Sequence, residues 1–223
     1  MKRRPEPELM DGEAQALAYA EADFNASNTL FIELLRRLAP GPLAGATALD
    51  LGCGPADIVI RFLRAYPGAT CDALDGSRPM LELARQALDA QPEIAARVRL
   101  LHDVIPSEQL ARGQYDLVIS NSLLHHLPDP AVLWRTVRET AKPGAPVLIM
   151  DLMRPASPGW VEALVESYVA DESEILRTDF RNSLYAAFEP AEVSAQLAAA
   201  GLDSLEVAVV SDRHLAVMGF LPT

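Results

Sequence analysis

Cysteine is nearly absent: the 223 residues hold two, Cys53 and Cys71. Their spacing fits no zinc-ligand pattern and no disulfide framework. Both lie in apolar, strand-like stretches, the setting of small buried thiols. Positive charge is also scarce, with 19 Lys and Arg against 31 Asp and Glu, a net charge of −12. That balance argues against a broad phosphate-binding face, so no nucleic-acid partner is expected, although a local basic pocket is compatible with it. No apolar run reaches the ~18 residues of a membrane-spanning helix. The opening Met1-Lys2-Arg3-Arg4-Pro5-Glu6-Pro7-Glu8 is basic but lacks the apolar stretch of a secretory signal. The expectation is a cytoplasmic protein without a membrane span. Half of the residues are hydrophobic and 22% are charged, an ordinary globular composition for one domain of this length.

Along the chain, residues 1–12 are charged and proline-containing and read as a flexible tail. Residues 13–223 read as a single domain. A helical pattern runs from Glu13 to Leu38, marked by Leu17, Leu30, Leu34 and Leu38, with a break expected at Asn25–Asn28. Strands and helices then alternate. Strands are expected at 46–51, 69–74, 98–102, 115–120 and 146–151. Helices are expected at 56–66, 79–90 and 130–141, with a short helical piece near 107–111. This rhythm implies βαβ units, a parallel sheet and right-handed crossovers that put helices on both faces. After Asp151 the rhythm changes. Residues 160–171 look helical, 177–188 are polar and aromatic without clear periodicity, and 190–200 form a helix stopped by Gly201. Two closing strands, 205–210 and 215–220, are close enough in sequence for an antiparallel hairpin.

The most informative stretch is Ala48-Leu49-Asp50-Leu51-Gly52-Cys53-Gly54-Pro55-Ala56-Asp57. It reads as a buried strand ending in an acid, a tight glycine turn and the start of a helix. Gly52 and Gly54 permit positive φ and let a ligand approach bare backbone. The helix start offers free N–H groups. Such a unit binds nucleotide-like ligands at the carboxyl edge of a parallel sheet. In a dinucleotide turn, G-x-G-x-x-G, the third glycine would stand where this chain has Asp57, whose carboxylate would crowd a pyrophosphate. The Lys-Ser/Thr pair of a phosphate loop is also missing. Asp75, at the end of strand 2, suits the two vicinal hydroxyls of a ribose. It could instead cap the next helix, a task Ser77 can perform. Asp103, directly after strand 3, can accept from an exocyclic amine or simply start a loop. Asp50 could face an ammonium, directly or through water. Three acids around one crevice suit a ligand with positive charge and donors rather than a polyphosphate.

Together with these, the chain carries Leu74-Asp75-Gly76-Ser77-Arg78-Pro79-Met80-Leu81, Leu101-His102-Asp103, Tyr115-Asp116-Leu117-Val118-Ile119-Ser120-Asn121-Ser122-Leu123-Leu124-His125-His126-Leu127 and Ala141-Lys142-Pro143-Gly144. In order and spacing, over roughly residues 45–152, these motifs resemble the class I S-adenosylmethionine (SAM)-dependent methyltransferases. The resemblance is greatest to the small-molecule branch that includes quinone-biosynthesis enzymes. One departure is Ala56, where the family often has a third glycine. The resemblance implies an α/β, Rossmann-like, seven-stranded and mostly parallel sheet whose last strand is antiparallel. It also implies lid helices over 13–44, a SAM-binding core over 45–152, an acceptor-specificity insertion over 153–190 and a closing helix and hairpin over 191–223. For the cofactor, Gly52 and Gly54 would touch the methionine part and Asp75 the ribose, with Asp50, Gly76 and Ser77 also among the cofactor-binding residues. Asp103 and Val104 would meet the adenine, and Asn121 would sit near the methyl donor. Met80 would pack beside the adenine or serve as ordinary core. The product would be S-adenosylhomocysteine.

Methyl transfer from a sulfonium is an in-line displacement that leaves a neutral thioether, so alignment in a dry site is the main task. A base is needed only for a protonated nucleophile. His125 and His126 follow strand 4, beside the expected methyl position, and are the candidate acceptor-side groups. They cannot both project the same way, and His125 is the favoured member. No metal site is expected, since the pair lacks a helical i,i+4 partner or a neighbouring carboxylate. For the small-molecule acceptor, the candidates are Tyr19, Asp151, Arg154, Arg181, Asn182 and His214. The bland alternatives are simple packing for Tyr19, a solvated loop with an internal salt bridge around Arg154 and Arg181, and a surface turn at Arg213-His214. A SAM-binding protein that does not methylate is the competing reading. An enzyme acting on protein or nucleic acid is disfavoured by the acidic charge and by Asn121-Ser122-Leu123-Leu124, which lacks an Asn/Asp-Pro-Pro-aromatic turn. Acceptor identity, the atom methylated and oligomeric state have no sequence signal.

Overall fold

The structure is a computed structural model that describes residues 1–7 and 9–223. Two helices, α1 (Glu13–Glu21) and α2 (Asn25–Leu38), precede the sheet. Then come β1 (Thr47–Leu51), α3 (Asp57–Ala65), β2 (Thr70–Asp75), α4 (Arg78–Asp89), the single turn α5 (Pro92–Ala95) and β3 (Val98–His102). They are followed by β4 (Leu117–Asn121), a 3-10 turn at Leu124–His126, α6 (Ala131–Thr140) and β5 (Pro146–Leu152). The chain continues through α7 (Pro158–Val169), α8 (Glu174–Ala186), α9 (Pro190–Ala200), β6 (Leu205–Val209) and β7 (His214–Phe220).

The strands form one seven-stranded sheet in the order β3-β2-β1-β4-β5-β7-β6. β1 to β5 pair in parallel, and β7 runs antiparallel to both β5 and β6, so it is the one reversed strand. The order reverses between β1 and β4, where a crevice opens at the carboxyl edge. Alternation along the strands divides the core. Ala48, Leu148 and Met150 face Phe31, Leu35, Phe62 and Leu63 on one side. Leu49, Leu51, Val118 and Ile149 face Trp134, Val137, Val193 and Leu197 on the other. A third cluster joins α7 and α8 to the end of β5 through Leu152, Val161, Val165, Leu176 and Leu184.

Several expectations need correction. The stretch 1–12 is not a loose tail. Its described residues form a strap across the mouth of the crevice. Arg3 Nη2 donates to the carbonyls of His125 (2.9 Å) and Leu127 (3.2 Å), and its guanidinium stacks 3.9 Å from the Phe188 ring centroid. Arg4 N–H donates to the Tyr185 carbonyl, 2.9 Å away, and Ser77 Oγ donates to the Met10 carbonyl at 2.8 Å. The break between the first helices falls at residues 22–24, and Asn25–Asn28 begins α2. Residues 177–188 belong mostly to a real helix, α8, N-capped by Ser173 Oγ. Residues 107–111 form a turn rather than a helix. It is held by Ser107 Oγ, which donates to Asp103 Oδ2 at 2.6 Å and accepts from Gln109 N.

Candidate functional site

The glycine turn after β1 is pinned to the neighbouring strand, because Gly52 N and Cys53 N both donate to the Leu74 carbonyl. Gly52 (φ +73°) and Gly54 (φ +52°) are in left-handed conformations, and a Cβ on Gly52 would stand 3.0 Å from Leu123 Cβ. Ala56 is also left-handed, at φ 68°, and caps α3. It adopts this conformation with a Cβ, at a cost of roughly 1–2 kcal/mol.

Two orphaned groups lie at this floor. Asp50 is 1% exposed, and among the described residues neither carboxylate oxygen has a hydrogen-bond partner. Burial, with Asp75 adding to it, pushes its pKa up to about 8. Asn121 Oδ1 is likewise buried without a partner. Asp75 is positioned by backbone: Oδ2 accepts from Gly54 N and Oδ1 from Ser77 N, each at 2.8 Å. Each oxygen keeps a lone pair for a further donor. Ser77 performs the capping, since its Oγ accepts from Met80 N. The crevice is lined by Gly52, Gly54, Asp75, Gly76, Ser77, Met80, Asp103, Val104 and Asn121, with Asp50 beneath in an adjoining pocket. Asp103 accepts from Val104 N, Ser107 Oγ and Gln109 Nε2, so much of its capacity is used by its own loop. The bonds from Ser107 and then Gln109 hold its pKa below the usual value. An unpartnered acid beneath bare backbone and an anchored acid beside it fit a ligand with an ammonium at one end and hydroxyls at its middle.

The other end of the crevice contains His125, 3% exposed. Its Nδ1 lies 2.6 Å from Asp151 Oδ1, and its backbone N–H donates to Asp151 Oδ2. Burial opposes charge on this ring, but Asp151, and after it Glu6, outweigh burial and raise its pKa above the ordinary histidine value. His126 behaves oppositely, because burial and the neighbouring His125 push it down to about 3. Both rings face Glu6, with Oε1 3.5 Å from His125 Nε2 and 3.4 Å from His126 Nδ1. A carboxylate therefore does stand beside the pair, contrary to the expectation from sequence. It comes from the strap, and the three ligand-capable groups lie within 4.8 Å of one another. His214 is buried and lines the same crevice. Burial and Arg213 push its pKa down to about 4, which leaves it neutral at pH 7.

The acceptor-side candidates separate clearly. Tyr19 lines the crevice and stacks on Phe24 with ring centroids 4.7 Å apart. Asp151 does not line the crevice and acts through His125. Arg154 is turned away from it. It donates to the Ala187 carbonyl at 3.0 Å and pairs with Glu189 and Glu192 at 2.9 Å each, tying α8 to α9. Arg181 pairs with Glu162 on α7, and Asn182 is exposed. The reason is helical period. Leu176, Asp179, Phe180 and Ser183 follow i, i+3, i+4, i+7 and form the crevice face of α8, so Arg181 and Asn182 point elsewhere. Reading 177–188 without periodicity hides this face. Asp179, with Oδ2 unpartnered among the described residues and its pKa raised by burial, is the crevice-lining acid that such a reading misses. Glu6 has no local signal at all.

Comparison with known proteins agrees with this geometry. Residues 49–147 match the family model described as "Methyltransferase domain". The ubiquinone biosynthesis O-methyltransferase of Bordetella avium is 32% identical over 133 residues, covering 58% of this chain and 52% of that protein. The Pseudomonas paraeruginosa enzyme of the same name is 28% identical over 168 residues, 74% of this chain and 68% of that one. This chain thus spans about half the length of the first of these relatives. Among solved structures, a SAM-dependent methyltransferase from Aquifex aeolicus superposes with TM-score 0.68 at 17% identity, covering 93% and 98% of the two chains. Haemonchus contortus phosphoethanolamine N-methyltransferase 2, in complex with SAM, gives 0.72 at 15% identity over 95% of this chain and 58% of that one. The fold is the one seen in these SAM-dependent methyltransferase structures. In sequence, residues 49–147 resemble a methyltransferase domain, and the chain is similar to the ubiquinone biosynthesis O-methyltransferases.

Proposed function

We propose that the protein is a SAM-dependent methyltransferase acting on a small-molecule acceptor. The observation that carries this reading is the buried, unpartnered Asp50 carboxylate under the glycine turn, one strand from an Asp75 fixed by Gly54 and Ser77. When bound, SAM supplies a sulfonium methyl whose loss leaves a neutral thioether. Asp50, with Asn121, receives the cationic methionine end, Asp75 the ribose hydroxyls, and Met80, Asp103 and Val104 surround the base. Asp75 is held by the backbone N–H groups of Gly54 and Ser77, so it is aligned before the ligand arrives.

His125 Nε2 would take up the proton of the acceptor's nucleophilic atom, and bound SAM would supply the methyl group. Asp151 fixes the ring through Nδ1 and stabilises the imidazolium. His126 stays neutral beside it. Helices α1 and α2 act as a lid, and α7 and α8 shape the acceptor's space, with Tyr19, Asp179, Phe180, Ser183 and His214 at its walls. No helix of the described residues is long and apolar enough to cross a membrane. A cytoplasmic location is part of the proposal, and cell fractionation checks it.

Calorimetry with SAM, S-adenosylhomocysteine and NADH, added separately, tests the cofactor assignment. SAM and S-adenosylhomocysteine should bind and NADH should not. Binding of NADH alone would overturn the assignment.

A further inference from the structure

His125 is held from two sides. On one side is Asp151 of β5, 2.6 Å from Nδ1, and on the other is Glu6 of the strap, 3.5 Å from Nε2. Glu6 lies outside the matched methyltransferase segment, 119 residues before His125, yet its side chain is only 10% exposed. A carboxylate drawn into such a place needs partners. It accepts from Ser183 Oγ at 3.0 Å and faces both imidazoles. The strap does not depend on these contacts for its position, because Arg3, Arg4 and Met10 fasten it on either side.

We propose that Glu6 is a positioning residue of the methyl-transfer site, delivered by the N-terminal strap to hold His125 against Asp151 as a competent base. The proposal rests on the methyltransferase reading. Seating of the strap and readiness of the base become one event. With Glu6 in place, the imidazolium formed on proton transfer is stabilised by two carboxylates rather than one. Without the Glu6 carboxylate the ring keeps Asp151 alone as its carboxylate partner. The charged and titratable groups facing this cluster are Arg3 of the strap, His126 of the 3-10 turn, Asp151 of β5, Asp179 of α8 and His214 of β7.

The test is nitrogen-15 NMR titration of the His125 ring in chelator-treated, ligand-free protein, with wild type compared with Glu6→Gln. An opposite charge this close moves a midpoint by about one pH unit or more, so the Gln variant should titrate lower by about that amount. Glu6→Asp, which keeps the charge, should recover part of the shift. In the wild type, groups so close should titrate as a pair, so carbon-13 signals of the Glu6 carboxyl should show the His125 step. That measurement needs no variant to fold. Transfer of labelled methyl from SAM to the small molecules of a cell extract should fall about tenfold or more in Glu6→Gln, with SAM affinity held within about twofold. An unmoved midpoint, or a moved midpoint with undiminished transfer, overturns the proposal. Failure of the wild type to bind SAM would instead overturn the methyltransferase reading, because the ring titration uses no ligand.

Discussion

At the proposed cofactor end of the crevice, the polar groups come from residues 50–77, joined by 103–104 and 121, and most sit on strand ends or in the turns after them. At the proposed acceptor end, they come from residue 6, residues 125–126, 151, 179–183 and 214, and they meet only through tertiary packing. The first end is built by backbone: Gly54 N and Ser77 N fix Asp75, and the glycine turn hangs from the Leu74 carbonyl. The second is built by side chains on side chains, with Asp151 and Glu6 on His125 and Ser183 on Glu6. A backbone-built site should tolerate changes across the sheet and fail at a few positions. A side-chain-built site should lose rate before it loses binding.

His125→Ala is expected to have the largest effect. Removing a positioned general base costs about 10²–10⁴ in rate, so turnover should fall at least 100-fold while SAM affinity stays within about twofold. Equal loss of both would erase the division between the two ends. In the wild type, the rate should rise with pH as His125 loses its proton. Because Asp151 and Glu6 overcome burial and raise this pKa, the rising limb should lie above the ordinary histidine value of 6.5.

Asp75→Ala should act on the other side of the comparison, weakening SAM binding at least tenfold, which is ~1.4 kcal/mol. Calorimetry showing unchanged affinity would remove Asp75 from the site. Asp50→Asn is expected to separate binding from stability. The carboxyl titrates near 8 in the folded chain against 3.8 as its ordinary value, so the folded state binds the extra proton between those limits. Stability therefore falls as pH rises through that window. The Asn variant should melt higher than wild type at pH 8 and bind SAM several-fold more weakly. A lower melting temperature together with normal SAM binding would contradict the role given to Asp50. Arg181→Ala should do least. Its partially exposed pair with Glu162 contributes on the order of 0–1 kcal/mol, and neither turnover nor SAM affinity should change measurably.

The same division explains what is legible in the sequence. Alternating strand and helix patterns give the βαβ units and the parallel sheet, and the short gap before His214 gives the closing hairpin; the single antiparallel strand is what the family resemblance implies, and the structure has it. The glycine turn and Asp75 stand out because strand, turn and helix are contiguous there, whereas Asn121 is singled out by the family resemblance. Residue chemistry alone offers Ser77 in place of Asp75 as the helix cap, and the structure places the cap at Ser77. Arg154, Arg181 and Asn182 mislead because residue type without period does not say which way a side chain points. Once 174–186 is a helix, its crevice face is Leu176, Asp179, Phe180 and Ser183. Glu6 is not readable, because a charged, proline-containing stretch has the composition of a tail. Only folding reveals that Arg3 finds the carbonyls of His125 and Leu127.

Methyl transfer to a small molecule can be measured directly even with the acceptor unidentified. The protein is incubated with deuteriomethyl-labelled SAM and a cell extract, and the small-molecule, protein and nucleic-acid fractions are analysed by mass spectrometry. The expected result is a labelled small molecule, with S-adenosylhomocysteine formed in equal amount, and loss of both with His125→Ala. Label confined to protein or nucleic acid, or SAM bound but returned unchanged by an active preparation, would contradict it.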